Sequence, residues 1–475
     1  MRNGVKILII AQYFPPDITA AAFRIFDTAR LLEANGHEVH VITALPHRSQ
    51  ADGDSVAEYD RQISRVLRTR VTHLNGGGFL NYIRHYVSFM VGSAWLGVKH
   101  RLAHWKPDVI WASSPPLFVG LSGVVLSRLF RIPLVVDIRD IWPASAVGAG
   151  QLSAGGRAYR IGERMEQYVY HQATHITCVA RPMQEYIRAK TRTSVTIVYN
   201  GAKASDIADG PDGHHGPSND HTLLYAGNLG RVQQLDLLIR AWTSVHGRNG
   251  HSKWIMKLLG TGAAEDDLKK LAKDLGATDS IVFLPPVSRQ NAAREMAQAA
   301  ALSVNLRPDK TFERTIPSKV FDCMAAGRPI LAGVSGEGRE ILESTGANIC
   351  YQPGNQQDLE QALEQLMRDY QRLQLLAYRN PQVIRNGYTR ERAVEALMRV
   401  FDSAVPNRSF VPAMGADDQW QYRRLASQFS RENSLKSGAD ERLPERKPAH
   451  TYKSSPGQAR KQAPLGDEIP ISDRQ

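Results

Sequence analysis

The chain begins with an apolar run, "VKILIIA", followed by "AAFRIFDTARLLEANG", whose apolar residues recur at helical spacing, and by a second strand-like run, "HEVHVITA". Gly36 closes the helical segment in the place of a C-cap. The alternation continues through "DVIWAS", the helical "LFVGLSGVVLSRLFR", "IPLVVDIRD", "HITCVA" and "SVTIVYNG". Val- and Ile-rich runs this continuous, separated by helix patterns, predict a parallel sheet covered on both faces. The pattern then restarts with "HTLLYAGNL", "QQLDLLIRAWTSVHG", "KWIMKLLGTG", "AEDDLKKLAKDLG", "SIVFLPP", "ALSVNL", a short helix and "RPILAGV". The fold class is therefore α/β, with two Rossmann-like parallel-sheet domains facing a cleft. The join falls near residues 199–220, where "GPDGHHGPSND" has linker composition. The expected organisation is a first domain over 1–198, a second over 199–385, a helix over 386–404 crossing back to the first, and a polar, Pro-bearing tail over 405–475 predicted to be disordered.

Composition adds limits. With 475 residues, 42% of them hydrophobic, the chain has room for two domains with cores of their own. Cys178, Cys323 and Cys350 lie far apart without a C-x-x-C, and the histidines have no ligand spacing, so reduced thiols are expected and a metal is not. The first apolar run is too short for a signal-peptide core and stops at an aromatic-Pro-Pro turn. No run approaches the roughly eighteen apolar residues of a bilayer span.

Charge changes the picture in one place. The net charge is +12, and no Asp or Glu occurs between Arg61 and Pro107. Basic and aromatic residues alternate there at roughly helical spacing in "NYIRHYVSFMVGSAWLGVKHRLAHW". The segment is either a solvated helix face with a few core aromatics or a surface for an anionic partner. Its alternation suits a bilayer surface better than a nucleic acid.

Two carboxylates stand out. Asp322, in "PSKVFDCMAAGRPIL", lies among apolar and small residues, where an unpaired carboxylate is expensive to bury. Pro317 and Ser318 suit a helix start whose N–H groups point at an anion, Lys319 adds a charge, and Asp322 falls on the same face one turn on. That arrangement fits a nucleotide clamp, and it fits equally an ion pair between Asp322 and Lys319. Arg139 and Asp140, in "DIRDIWP", end a strand that faces the cleft. They read either as a surface pair or as groups that polarise a leaving phosphate and bind an acceptor hydroxyl.

"PSKVFDCMAAGRPILAGVSGEGREIL" resembles the donor-site motif of the glycosyltransferase family 4 enzymes, which have the GT-B fold, and in particular their branch of bacterial surface-polysaccharide transferases of the O-antigen N-acetylfucosamine type. "YFPPDITAAAFRIFDTARLLEANGHEVHVIT", "SPPLFVGLSG", "VVDIRDIWPASAVGAG", "IVYNG", "LLYAGNLGRVQQLDLLIRAW" and "LLGTGAAEDDLKKLAKDLGATDSIVFLPPV" follow the family's order over residues 4–403.

This resemblance implies transfer of a sugar from a nucleoside diphosphate, UDP above all, to a lipid-linked or saccharide acceptor. It implies retention at the anomeric carbon, no cofactor and no metal, and work at the inner face of the cytoplasmic membrane. Asp322 matches the family acid that holds the donor ribose. The paired glutamate eight positions earlier is replaced by Arg314, with Glu313 one place off. In "GNLGRVQQ" the usual basic pair is Asn228 and Gln233, leaving Arg231, Lys319, Ser318 and the Gly227 region to meet the diphosphate. Ala20, Ala21 and Ala22 stand where many relatives have a Gly-Gly pair. A nucleotide-sugar 2-epimerase on the same scaffold and a non-catalytic binding or assembly protein are the rival readings.

Overall fold

A computed structural model of the chain describes residues 4–47, 53–72, 79–148, 152–208, 221–246 and 253–405. The 405–475 tail lies outside the described residues from 406 on. The first sheet holds seven parallel strands: β1 (Lys6–Ala11), β2 (Glu38–Ala44), β3 (Arg65–Thr69), β4 (Val109–Ser113), β5 (Leu134–Ile138), β6 (His175–Cys178) and β7 (Val195–Ile197), in the order β3-β2-β1-β4-β5-β6-β7. The second holds β8 (Thr222–Ala226), β9 (Ile255–Leu259), β10 (Ile281–Leu284), β11 (Ala301–Asn305), β12 (Ile330–Gly333) and β13 (Ile349–Cys350), in the order β10-β9-β8-β11-β12-β13.

Every residue of β4 and β5 is buried, as strands covered on both faces require. The first helix, Ala20–Ala34, starts where the Thr19 hydroxyl accepts from the Ala22 N–H at 3.1 Å and ends ahead of Gly36, whose φ is +86°. The last helix, Arg390–Ala404, buries Val394, Leu397, Met398 and Phe401 in the same apolar cluster as Ile7, Ile9 and Phe26 of the first lobe.

In each sheet the strand order reverses between two neighbours, β1 and β4 in the first and β8 and β11 in the second. The crevice beyond the carboxyl ends of such strands is where α/β folds take ligands. The loops after β1, β4 and β5 carry the N-terminal side of that crevice, and the loops after β8 and β11 carry the C-terminal side.

The sequence pattern does not reveal β3. "RVLRT" places arginines among its apolar residues because it is an edge strand. Arg68 turns back to pair with Asp60 at 2.7 Å and donates to the carbonyls of Pro15 and Ala44.

Candidate active site

Lys319 and Asp322 share the partly exposed face of the helix Ser318–Ala325, whose Val320, Phe321, Cys323 and Met324 are buried. They are not an ion pair. Lys319 reaches over the ring of Tyr225, with Nζ 3.8 Å from the ring centroid, and donates to the Tyr225 hydroxyl, which donates in turn to the Asn228 carbonyl at 2.7 Å. This route needs Gly227: a Cβ there would lie 2.5 Å from the Lys319 Nζ, and the residue's φ of +138° suits glycine alone. Burial lowers the Lys319 ammonium to about 8, against the opposing pull of Cys323 and Asp322.

Asp322 is half-buried, and among the described residues its carboxylate has no hydrogen bond or ion pair. Burial raises its pKa, while Arg390, Arg289 and Lys319 pull it down and Asp206 pushes it up. The acid therefore points into a charged environment without being tied down in it.

The other residues expected on the donor side lie in the loop after β8, in the turn Phe312–Arg314 and at the start of this helix. Asn228 and Arg231 are exposed in the loop after β8, with Asn228 3.5 Å from the Gln233 side chain. Ser318 is half-buried at the helix start. Glu313 is exposed and borders a small hollow with Leu306, Pro308, Phe312 and Val334. Arg314 lies over the ring of Tyr186, 4.8 Å from its centroid.

On the N-terminal side, Arg139 and Asp140 each have partners of their own. Arg139 Nε donates to the Ser114 carbonyl at 3.0 Å and lies 3.7 Å from Asp137. Burial lowers its pKa to about 10, and the nearby Arg24 adds to that. Burial raises the pKa of Asp140, against the opposing pull of the Ser145 side chain, the Ile141 N–H and Arg139.

Sequence reasoning missed Asp137, the acid at the centre of this edge. It is fully buried on β5 and accepts from Arg24 at 2.5 Å, Ser113 at 2.8 Å and Thr177 at 2.8 Å. These bonds outweigh burial and hold its pKa below the usual carboxylate value. Its signal was present: "LVVDI" sets one carboxylate inside an apolar strand. Also missed were Asp17 and His47. The Asp17 carboxylate accepts from the His47 N–H at 3.1 Å, and its ring nitrogen lies 3.3 Å away. The His47 ring stacks on Tyr13 at 5.5 Å.

Two family models divide the chain as its two sheets do: a glycosyl transferase 4-like domain matches residues 19–201, and a glycosyl transferases group 1 domain matches residues 220–369. The chain is a glycosyltransferase of the GT-B fold, with a glycosyl transferase 4-like domain followed by a group 1 domain. Among its relatives is WcaI of Escherichia coli, whose name assigns it to colanic acid biosynthesis. It is 24% identical over 383 residues, covering 76% of this chain and 92% of the relative.

Solved structures similar to this glycosyltransferase include HepE of Anabaena in complex with UDP-glucose, at a TM-score of 0.62 and 16% identity, covering 84% of this chain and 99% of that one. WaaG, a glycosyltransferase involved in lipopolysaccharide biosynthesis, aligns at a TM-score of 0.61 and 14% identity over 84% of this chain and 100% of its own. At these identities the solved structures show the shared fold.

Proposed function

We propose that this glycosyltransferase moves a sugar from a UDP-sugar to a lipid-linked or saccharide acceptor in bacterial polysaccharide synthesis. The observation that carries the reading is the unpaired Asp322 carboxylate, one helical turn from Lys319 at the carboxyl edge of the second sheet. Asp322 accepts from the ribose hydroxyls. Lys319, Arg231 and the N–H groups at Ser318 and Gly227 meet the diphosphate without a metal, and Glu313 and Asn228 border the donor. HepE was captured with UDP-glucose and WcaI is named for a polysaccharide, which supports a nucleotide sugar and this class of product.

The bond from the anomeric carbon to the phosphate breaks as the bond to the acceptor oxygen forms on the same face. The departing phosphate takes the acceptor's proton, so configuration is retained. Arg139 stabilises the charge that develops, and Asp140 orients the acceptor.

Release of UDP from a panel of UDP-sugars, with membrane extract as acceptor, tests this reading. At least one sugar is consumed, and the affinity for UDP falls as pH rises through about 8, because Lys319 there loses its proton. An affinity that stays flat across that range removes Lys319 from the site.

The acceptor side implies work at the inner face of the cytoplasmic membrane. Among the described residues no helix is long and apolar enough to cross a bilayer. Three neighbouring helices nevertheless expose large apolar side chains: Val91 and Trp95 on Phe79–Leu102, Val125 and Leu129 on Phe118–Phe130, and Ile161 on Arg157–Gln172. Arg84, Lys99, Arg128 and Arg160 are exposed on the same helices. Such a face suits an anionic bilayer. Trp95→Glu reduces binding to phosphatidylglycerol-containing vesicles by roughly tenfold in a flotation assay while the fold is kept. Unchanged flotation removes this face from the reading.

A further inference from the structure

A helix of the first lobe is capped by an acid of the second. The helix Arg181–Arg188, after β6, starts behind Ala180, whose side chain cannot cap it. Glu337, in the segment after β12, does so instead: its carboxylate accepts from the Arg181 backbone N–H at 2.6 Å and from Arg181 Nε at 2.8 Å. The Tyr199 hydroxyl, at the join of the lobes, donates to the same carboxylate at 2.6 Å, and Arg181 Nη2 reaches Glu340 at 2.5 Å. Glu337 is buried, so these charge-assisted bonds are shielded from water, and an acid at a helix start also meets the positive end of the dipole. Further along the same helix, the Tyr186 ring takes the Arg314 guanidinium, 4.8 Å from its centroid. That ring is fixed from behind: its hydroxyl donates to the buried Glu166 at 3.2 Å, which also pairs with Lys190 at 2.6 Å.

Both contacts bear on Glu313. Arg314 follows it in the turn Phe312–Arg314, and the residue before Glu337 is Gly336. At Gly336 the φ of +64° and the Glu313 carbonyl, which a Cβ would approach to 2.3 Å, leave room for glycine alone. Gly338 packs on Ile316 and Pro317, where a Cβ would lie 3.6 Å and 3.8 Å from their side chains, and Pro317 leads into the helix of Lys319 and Asp322. Glu313, Pro317, Val334 and Ser335 line one hollow. The segment after β12 is thus held between the Glu313 backbone on one side and Arg181 on the other.

We propose that Arg181 and Tyr186 are positioning residues for Glu313: the first lobe holds the wall of the second on which Glu313 meets the sugar of the donor. The inference rests on the donor reading, with Asp322 and Lys319 at the nucleotide and Glu313 at the sugar. Arg181 acts through Glu337 and the close approach of Gly336, and Tyr186 acts through Arg314. Glu313 is exposed on a three-residue turn, so binding a sugar hydroxyl costs it side-chain and backbone freedom. The two first-lobe contacts fix that turn beforehand, and the gain goes only to a ligand that carries the sugar. UDP alone, which meets Asp322 and Lys319, does not draw on it.

The test compares UDP with the UDP-sugar that the panel selects, on the full chain. Calorimetry gives the Kd of UDP and initial rates give the KM of the UDP-sugar. The proteins are the parent, Arg181→Ala, Tyr186→Leu, Glu313→Ala, each of the first two combined with Glu313→Ala, and Asp322→Ala. The Arg181 side chain is 57% exposed, so its replacement leaves the core intact. In Arg181→Ala and in Tyr186→Leu the KM rises by about fivefold while the Kd of UDP stays within about twofold. On the Glu313→Ala background neither substitution adds to the loss, because the group they position is gone. An unchanged KM in a single variant removes that residue from the role. An equal rise in the Kd of UDP, or a full further rise on top of Glu313→Ala, overturns the positioning role while the donor reading stands. A parental KM in Glu313→Ala also overturns it, since no contact is then left to position. Parental UDP affinity in Asp322→Ala overturns the donor reading and this inference with it.

Discussion

Asp322→Ala loses UDP affinity by about 2–4 kcal/mol, roughly thirtyfold to a thousandfold, because two charge-assisted hydrogen bonds to ribose disappear together. The fold survives the change. The carboxylate is half-buried and has no hydrogen bond or ion pair among the described residues, so its removal strands no partner, and burial already disfavours its charge. Calorimetric titration with UDP, set beside thermal unfolding of the same sample, separates the two effects. Asp322→Asn gives a smaller loss, since an amide oxygen still accepts a hydrogen bond without the charge. Tight UDP binding by Asp322→Ala, with the melting temperature unchanged, would remove the acid from the donor site.

The parts of this molecule legible in the sequence are those whose cause is local. β1, β4, β5, β8 and β11 are short, mostly apolar runs between helix patterns, and that alternation signals a parallel sheet. β3 was hidden because its arginines interrupt the alternation, and β13, Ile349–Cys350, is too short to carry a pattern. The same division applies to the site. Asp322 stands out because a carboxylate in a stretch of apolar and small residues is a local anomaly.

What Asp322 does was not local. The Lys319–Asp322 ion pair that the spacing allowed is replaced by a reach from Lys319 to Tyr225, 94 residues away in sequence. Arg289 and Arg390 reach Asp27 across 262 and 363 residues. No window of sequence contains both ends of those contacts. The resemblance to family 4 transferases carries the order of the motifs, and the two family models follow the same order, but it does not indicate that guanidinia of two separate helices converge on Asp27.

Arg24→Ala destabilises the protein by about 3–5 kcal/mol, because it leaves the Asp137 carboxylate buried without its main countercharge. Arg24 and Asp137 are 5% and 0% exposed, so water cannot replace the lost partner. Ser113 and Thr177 still donate to the carboxylate, and Arg139, 3.7 Å away, moves in only partly, because its Nε is held by the Ser114 carbonyl. The acid side of the stability profile reports the same pair. The Asp137 pKa lies below the ordinary carboxylate value of 3.8, so its contribution is present above that value and is lost as pH falls through the lower, folded one. Arg24→Ala weakens this term, and stability near neutral pH drops towards that seen in acid. Urea titrations at about pH 7 and about pH 3 measure both values. The loss is large at the first pH and smaller at the second, where a carboxylate left without Arg24 can take up a proton. Equal losses at the two pH values would mean that Arg24 contributes through its packing on the Trp111 ring, 5.8 Å from the ring centroid, and not through its charge.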